Sequence, residues 1–227
     1  MKSKRILLSP PHMGGTEPTY IAQAFQDNWI APAGPHIDLF ENRLVDFLDE
    51  QAHVGALSSG TAAIHLGLQL LGVQKGDVVL CQSLTFIASV NPVLYLAATP
   101  VFIGSEKETW NLCPIALEEA VLNQLNKGIQ PKAILVVHLY GMPAKMNEII
   151  TISKKYNIPI LEDAAEALGS AYQGKPCGTL GDFGVFSFNG NKIITTSGGG
   201  ALICHSEIDK KKAVFLATQA KEDAAHY

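Results

Sequence analysis

The chain has 227 residues, of which 47% are hydrophobic and 17% charged, and a formal net charge of −4. That is enough for one sizeable α/β core or two small domains. No basic block or stripe stands out, so a polyanion such as nucleic acid is not an expected partner.

At the N-terminus the first apolar run stops after Leu8, too short for a secretory signal. Helical spacing of Ile21, Ala24 and Phe25, and then of Ile37, Phe40, Leu44, Phe47 and Leu48, predicts two amphipathic helices. Asn28 to Pro35, between them, is a loop rich in Pro and Gly. Ser58–Gly72 opens on capping residues and closes on glycine, the pattern of a buried helix.

Beyond it, apolar runs at Val78–Cys81, Val101–Ile103, Ala133–His138 and Ile158–Leu161 read as buried strands. Helical patterns at Phe86–Ala97, Pro114–Asn126 and Pro143–Tyr156 lie between them, two of these starting on proline. The most apolar stretch, Val78–Gly104, is broken by Gln82, Asn91, Pro92 and Pro100. It therefore reads as strand–helix–strand, and no membrane span is expected. Phe183–Phe188 and Gly200–Cys204 are strand-like, and Glu207–Ala220 is helical. This alternation predicts an α/β fold, a mostly parallel central sheet with helices on both faces. In such sheets binding sites gather at the carboxyl ends of the strands.

Three features fall at those ends. Asp163 follows the run Ile158–Leu161, where a carboxylate can hold the protonated ring nitrogen of a pyridine cofactor. The competing reading is a helix N-cap. Lys192 sits between a strand-like run and a glycine-rich turn, amid mostly uncharged residues. Desolvation there would favour the neutral amine that a Schiff base needs, against the ordinary reading of a solvated surface lysine. Ser59-Gly60-Thr61 opens a helix, and backbone amides with hydroxyls at such a start bind a phosphate dianion, or simply cap the helix. Phe86 either stacks on a flat ring or belongs to the core. His138 either faces the cleft or is a satisfied core histidine. Cys81, Cys113, Cys177 and Cys204 lack C-x-x-C spacing and the histidines lack H-E-x-x-H. No metal is expected, and the thiols suit a reducing compartment.

The order of these features is more specific than any one of them. Ser58-Ser-Gly-Thr-Ala-Ala, Thr85-Phe-Ile-Ala-Ser89, Glu162-Asp-Ala-Ala-Glu166 and Ser187-Phe-Asn-Gly-Asn-Lys192 together resemble the DegT-type nucleotide-sugar aminotransferases among the fold-type I pyridoxal 5′-phosphate (PLP) enzymes. The resemblance implies the PLP-dependent transferase fold, with Lys192 as the Schiff-base lysine that shuttles a proton and Asp163 as the pyridinium partner. It implies Ser59, Gly60, Thr61 and Ser187 as phosphate ligands and Phe86 as the stacking aromatic. Glu166 stands where relatives carry Gln or His near the cofactor's ring hydroxyl.

The implied reaction passes an amine from glutamate to a keto sugar on a nucleotide, in a cytoplasmic homodimer. A low charged fraction is compatible with such an interface. Ser9–Gly15, Trp29–Pro32 and Asn189–Gly200 are most similar to a branch that aminates carbon 4 of a UDP-linked 4-keto-6-deoxy-N-acetylglucosamine for surface sugars. His12, Met13, Trp29 and His138 are the residues expected on the substrate side.

Family members continue into a smaller C-terminal domain, which completes the cleft and supplies an asparagine to the neighbour's cofactor phosphate. The expectation is therefore a large domain over residues 1–227, with an N-terminal arm over about 1–35 and without the small domain. A PLP-binding or dimerising domain without turnover is the alternative. A generic nucleotide-binding module is disfavoured, because neither a P-loop nor G-x-G-x-x-G occurs.

Overall fold

Seven strands form the central sheet in a computed structural model that describes residues 6–29, 31, 33–48 and 52–220. Ile30 and Pro32 of the Trp29–Pro32 segment lie outside the described residues. The strands are β1 (His53–Leu57), β2 (Val78–Gln82), β3 (Thr99–Ile103), β4 (Ala133–Val137), β5 (Ile160–Asp163), β8 (Phe183–Ser187) and β9 (Gly200–Cys204), in the order β1-β9-β8-β5-β4-β2-β3. A small hairpin of β6 (Ala171–Tyr172) and β7 (Lys175–Pro176) stands apart. Only β9 opposes its neighbours in the central sheet, so that sheet is mostly parallel. Its middle strands are buried on both faces and so read as unbroken apolar runs.

Alternate residues of each strand feed opposite layers. Val79 and Cys81 of β2, with Leu135, Leu161 and Leu202, pack under α3 (Gly60–Leu70), α4 (Asn91–Tyr95) and α7 (Glu207–Ala217). Val78 and Leu80, with Ile134, Val136 and Ile160, pack under α5 (Pro114–Leu125) and α6 (Met146–Tyr156). α2 (Pro35–Leu48) covers the rest of that second face through Leu44 and Leu48 against Val54, Phe186 and Ile203. α3 lies so close to the sheet that a Cβ at Gly67 would stand 2.7 Å from Leu161. α1 (Glu17–Gln26) buries none of its residues.

Several expectations are corrected. Phe86–Ala97 is not one helix but a 3-10 turn, Ile87–Ser89, followed by α4. Pro92 lacks an N–H, and its ring would strike the carbonyl four residues back. α6 starts at Met146 and not at Pro143: Lys145 before it has a non-helical backbone, and the Ala144 amide donates to the His138 ring at 3.1 Å. β3 is an edge strand with Phe102 58% exposed, a position that tolerates Pro100. β5 runs two residues later than expected, so Asp163 is its last residue and does not follow it. Strand β1 and the small hairpin were not expected at all.

The four cysteines are unpaired, and burial pushes Cys81, Cys177 and Cys204 up to about 12, as for inert core thiols. Among the described residues no group of His, Cys, Asp and Glu could hold a metal, and no helix is long and apolar enough to cross a membrane.

Candidate active site

Register brings the chemistry-bearing residues level at the carboxyl end of the sheet. Leu57 at the end of β1 pairs with Gly200, which pairs on its other side with Ser187 at the end of β8. Asp163 pairs with Val185 on one side and Val137 on the other. The turn after β1, the end of β5 and the loop after β8 therefore form one rim.

Ser59 is extended, and its Oγ accepts the Ala62 N–H at 3.0 Å. Its hydroxyl caps α3, leaving the amides of Gly60 and Thr61 at the head of the helix, where an anion is favoured. Close packing holds this turn. A Cβ at Gly60 would stand 3.0 Å from Ser187 Cβ, and one at Gly200 would overlap the Ser59 carbonyl and the Gly60 amide. Gly200→Ala is predicted to cost about 1–3 kcal/mol through overpacking. Calorimetric melting checks this, and an unshifted transition would show that the turn can yield.

Asp163 is 5% exposed. No helix follows it, so the N-cap reading falls; its Oδ1 instead accepts the Ala165 N–H at 3.1 Å within a turn. Oδ2 accepts the Ser89 hydroxyl at 2.6 Å. Burial pushes this carboxyl above its ordinary range, while the Ser89 and Ala165 bonds and the charge of Lys192 pull it back.

Lys192 lies in the loop between β8 and β9 with its side chain 14% exposed. Its surroundings are not uncharged, as the sequence suggested, because Glu166 Oε1 sits 3.1 Å from Nζ. Phe86 is extended at the head of the 3-10 turn and 75% exposed, which removes the core reading and leaves a ring face free.

The substrate-side residues do not converge in the same way. His138 is a core histidine, 1% exposed. Its Nδ1 accepts the Ala144 N–H and its Nε2 lies 2.7 Å from Glu162 Oε2, so no ring nitrogen is free for a substrate. His12, Met13 and Trp29 are exposed on the N-terminal arm. The arm touches the lysine loop where Ser9 Oγ donates to the Asn191 carbonyl at 2.8 Å.

Two residues at the site escaped the sequence reading. Ser89, in the run Thr85-Phe-Ile-Ala-Ser89, donates to Asp163. Glu162, fully buried, accepts from His138, Gly178, Leu180 and Gly181. A carboxylate inside an otherwise apolar strand demands such partners, and that was the available signal.

A flat pyridine bearing an aldehyde and a phosphate fits this donor set. There is an amine whose charge acts on a buried carboxylate, a helix head where a Cβ at Gly60 would crowd Ser187, and an exposed aromatic. Comparison with known proteins agrees. The sequence pattern of the DegT/DnrJ/EryC1/StrS aminotransferase family matches residues 11–227.

EpsN of Bacillus subtilis (strain 168), assigned by its name only provisionally to the pyridoxal phosphate-dependent aminotransferases, is 55% identical over 99% of this chain and 58% of its own length. GDP-perosamine synthase of Escherichia coli O157:H7 is 41% identical over 90% of this chain and 54% of its own. The crystal structure of a DegT DnrJ EryC1 StrS aminotransferase from Brucella abortus superposes with a TM-score of 0.86 at 28% identity, covering 92% of this chain and 56% of that one. The chain thus spans little more than half the length of these relatives.

Proposed function

The chain belongs to the DegT/DnrJ/EryC1/StrS aminotransferase family, and on that premise we propose that residues 1–227 are the large domain, arm included, of a nucleotide-sugar aminotransferase. The observation that supports this most is the meeting of Asp163, Lys192 and the head of α3 on one rim of the sheet. The cofactor of this family is pyridoxal 5′-phosphate. When bound, it supplies an aldehyde for the donor's amine and a protonated ring that takes up electrons as a C–H bond breaks.

The chain's own residues divide the remaining work. Asp163 holds the ring-nitrogen proton. Lys192 Nζ would bind the cofactor at its aldehyde and would carry a proton between carbons of substrate and cofactor. Glu166 keeps that ammonium in place until it is needed. The Gly60 and Thr61 amides, with the Ser59 and Ser187 hydroxyls, take the phosphate, and Phe86 offers its face to the ring.

Glutamate is the donor in this reading. The acceptor is the 4-keto carbon of a UDP-linked 4-keto-6-deoxy-N-acetyl sugar, made in the cytoplasm for surface glycans or glycoproteins. His12, Met13 and Trp29 line its approach. A homodimer is supported by the apolar side chains that α1 leaves exposed, Tyr20, Ile21 and Phe25.

The test is the visible absorption of the purified protein with PLP, before and after glutamate and then a keto sugar. The expected result is a protein-bound band that glutamate bleaches and the UDP-linked sugar restores. Restoration by the GDP-linked sugar alone would reassign the acceptor. A band blind to glutamate would leave a binding domain without turnover, and absence of a band would overturn the reading.

A further inference from the structure

A carboxylate that partners a cationic ring has to remain anionic, and burial works against Asp163 doing so. Its Oδ2 takes a 2.6 Å hydrogen bond from Ser89. Ser89 is itself only 3% exposed and ends the 3-10 turn on the loop after β2, 74 residues away in sequence. Its Oγ lies 2.7 Å from Thr85 Oγ1. An ionised carboxylate only accepts, so the Ser89 hydrogen is committed to Asp163, and Thr85 must donate to Ser89. Two hydroxyl protons then point in series at one carboxylate, and each bond polarises the next.

The same turn carries Phe86, whose carbonyl accepts the Ser89 N–H at 3.0 Å. The Ser89–Asp163 bond thus ties the exposed aromatic of one loop to the charged end of another strand. Two ionisable groups stand nearest Asp163, the charged Lys192 on the loop after β8 and His138 after the end of β4, whose Nδ1 accepts the Ala144 N–H and which is therefore a neutral ring. Neither donates a hydrogen bond to it, whereas Ser89 does.

We infer that Ser89, backed by Thr85, is a positioning residue that keeps Asp163 ionised and fixes the rotation of its carboxylate on the rim it shares with Phe86. The inference rests on the cofactor reading above. Ser89→Ala removes the terminal hydroxyl of the relay and Ser89→Thr retains it. Thr85→Val breaks only the outer link and disturbs packing least.

The experiment follows Asp163 by carbon NMR of carboxyl-labelled aspartate in the cofactor-free protein, and separately measures the dissociation constant for PLP. Ser89→Ala is expected to move the Asp163 titration to higher pH and to weaken PLP binding by roughly ten- to a hundredfold, the worth of a hydrogen bond to a charged group. Ser89→Thr should restore both, and Thr85→Val should move both less in the same direction. Should Ser89→Ala fail to fold, the Thr85→Val titration decides alone.

An Asp163 titration that ignores the loss of either hydroxyl overturns the inference, whatever the cofactor does. A titration that moves in a protein that never binds PLP upholds the relay and removes the cofactor reading.

Discussion

Lys192→Ala is expected to abolish covalent attachment of PLP while leaving the fold in place. Borohydride reduction of the loaded protein, followed by mass spectrometry, should find the cofactor on the Lys192 peptide of the parent and on no peptide of the variant. The loss should be complete and not graded, because no other lysine shares the rim with Asp163 and the head of α3 among the described side-chain contacts. Stability should hardly change. Lys192 leaves a loop where its one carboxylate partner, Glu166, is a third exposed, and such a pair contributes about 0–1 kcal/mol. Retention of reduced cofactor by the variant at the parent's level would refute the assignment.

Glu162→Ala should instead unfold the protein more easily than any other single change considered. Glu162 Oε1 accepts the Leu180 and Gly181 amides, both at 2.6 Å. Oε2 accepts the Gly178 amide at 3.0 Å and the His138 Nε2 proton at 2.7 Å. Ala144 N–H already occupies Nδ1, so the ring has its hydrogen at Nε2 and donates it. Removing the carboxylate strands four donors, those of His138 and Gly178 buried and those of Leu180 and Gly181 partly so, at about 3–5 kcal/mol. For a domain of this size that is a fall in melting temperature of roughly 10 °C. Glu162→Gln should lose most of the same stability, because its NH2 group would face amides that need an acceptor. A glutamine variant that melts with the parent would mean the four bonds contribute little.

The contrast between these two residues shows what the sequence could and could not reveal. Lys192 stands out in the sequence through its place in an ordered set of motifs, since a lone lysine is ordinarily a solvated surface residue. Asp163 was legible for the same reason, although its strand was placed two residues early. Buried strands such as Val78–Gln82 and Ala133–Val137 announce themselves as apolar runs. β1 does not. His53–Leu57 is short, contains glycine, and depends on a partner at Gly200–Cys204 far along the chain. The break at Pro92 could have been read from its missing N–H, whereas the late start of α6 could not, since Pro143 is itself well suited to the first position of a helix. Ser89 and Glu162 have no periodic signature at all. Their roles exist only once strands β2, β4 and β5 lie side by side.

The antiparallel strand β9 has a further consequence for how the protein comes to be. It is the last of these seven strands in chain order, yet it lies between β1 and β8, and Gly200 is what pins the Ser59 turn. During synthesis β1 leaves the ribosome long before its neighbour exists. At ordinary elongation rates the Ser59 turn waits on the order of ten seconds for Gly200 to arrive. Such distant pairing slows folding. The nascent chain meanwhile carries an unpaired edge beside an apolar helix, the kind of surface that favours aggregation, until residue 204 has emerged.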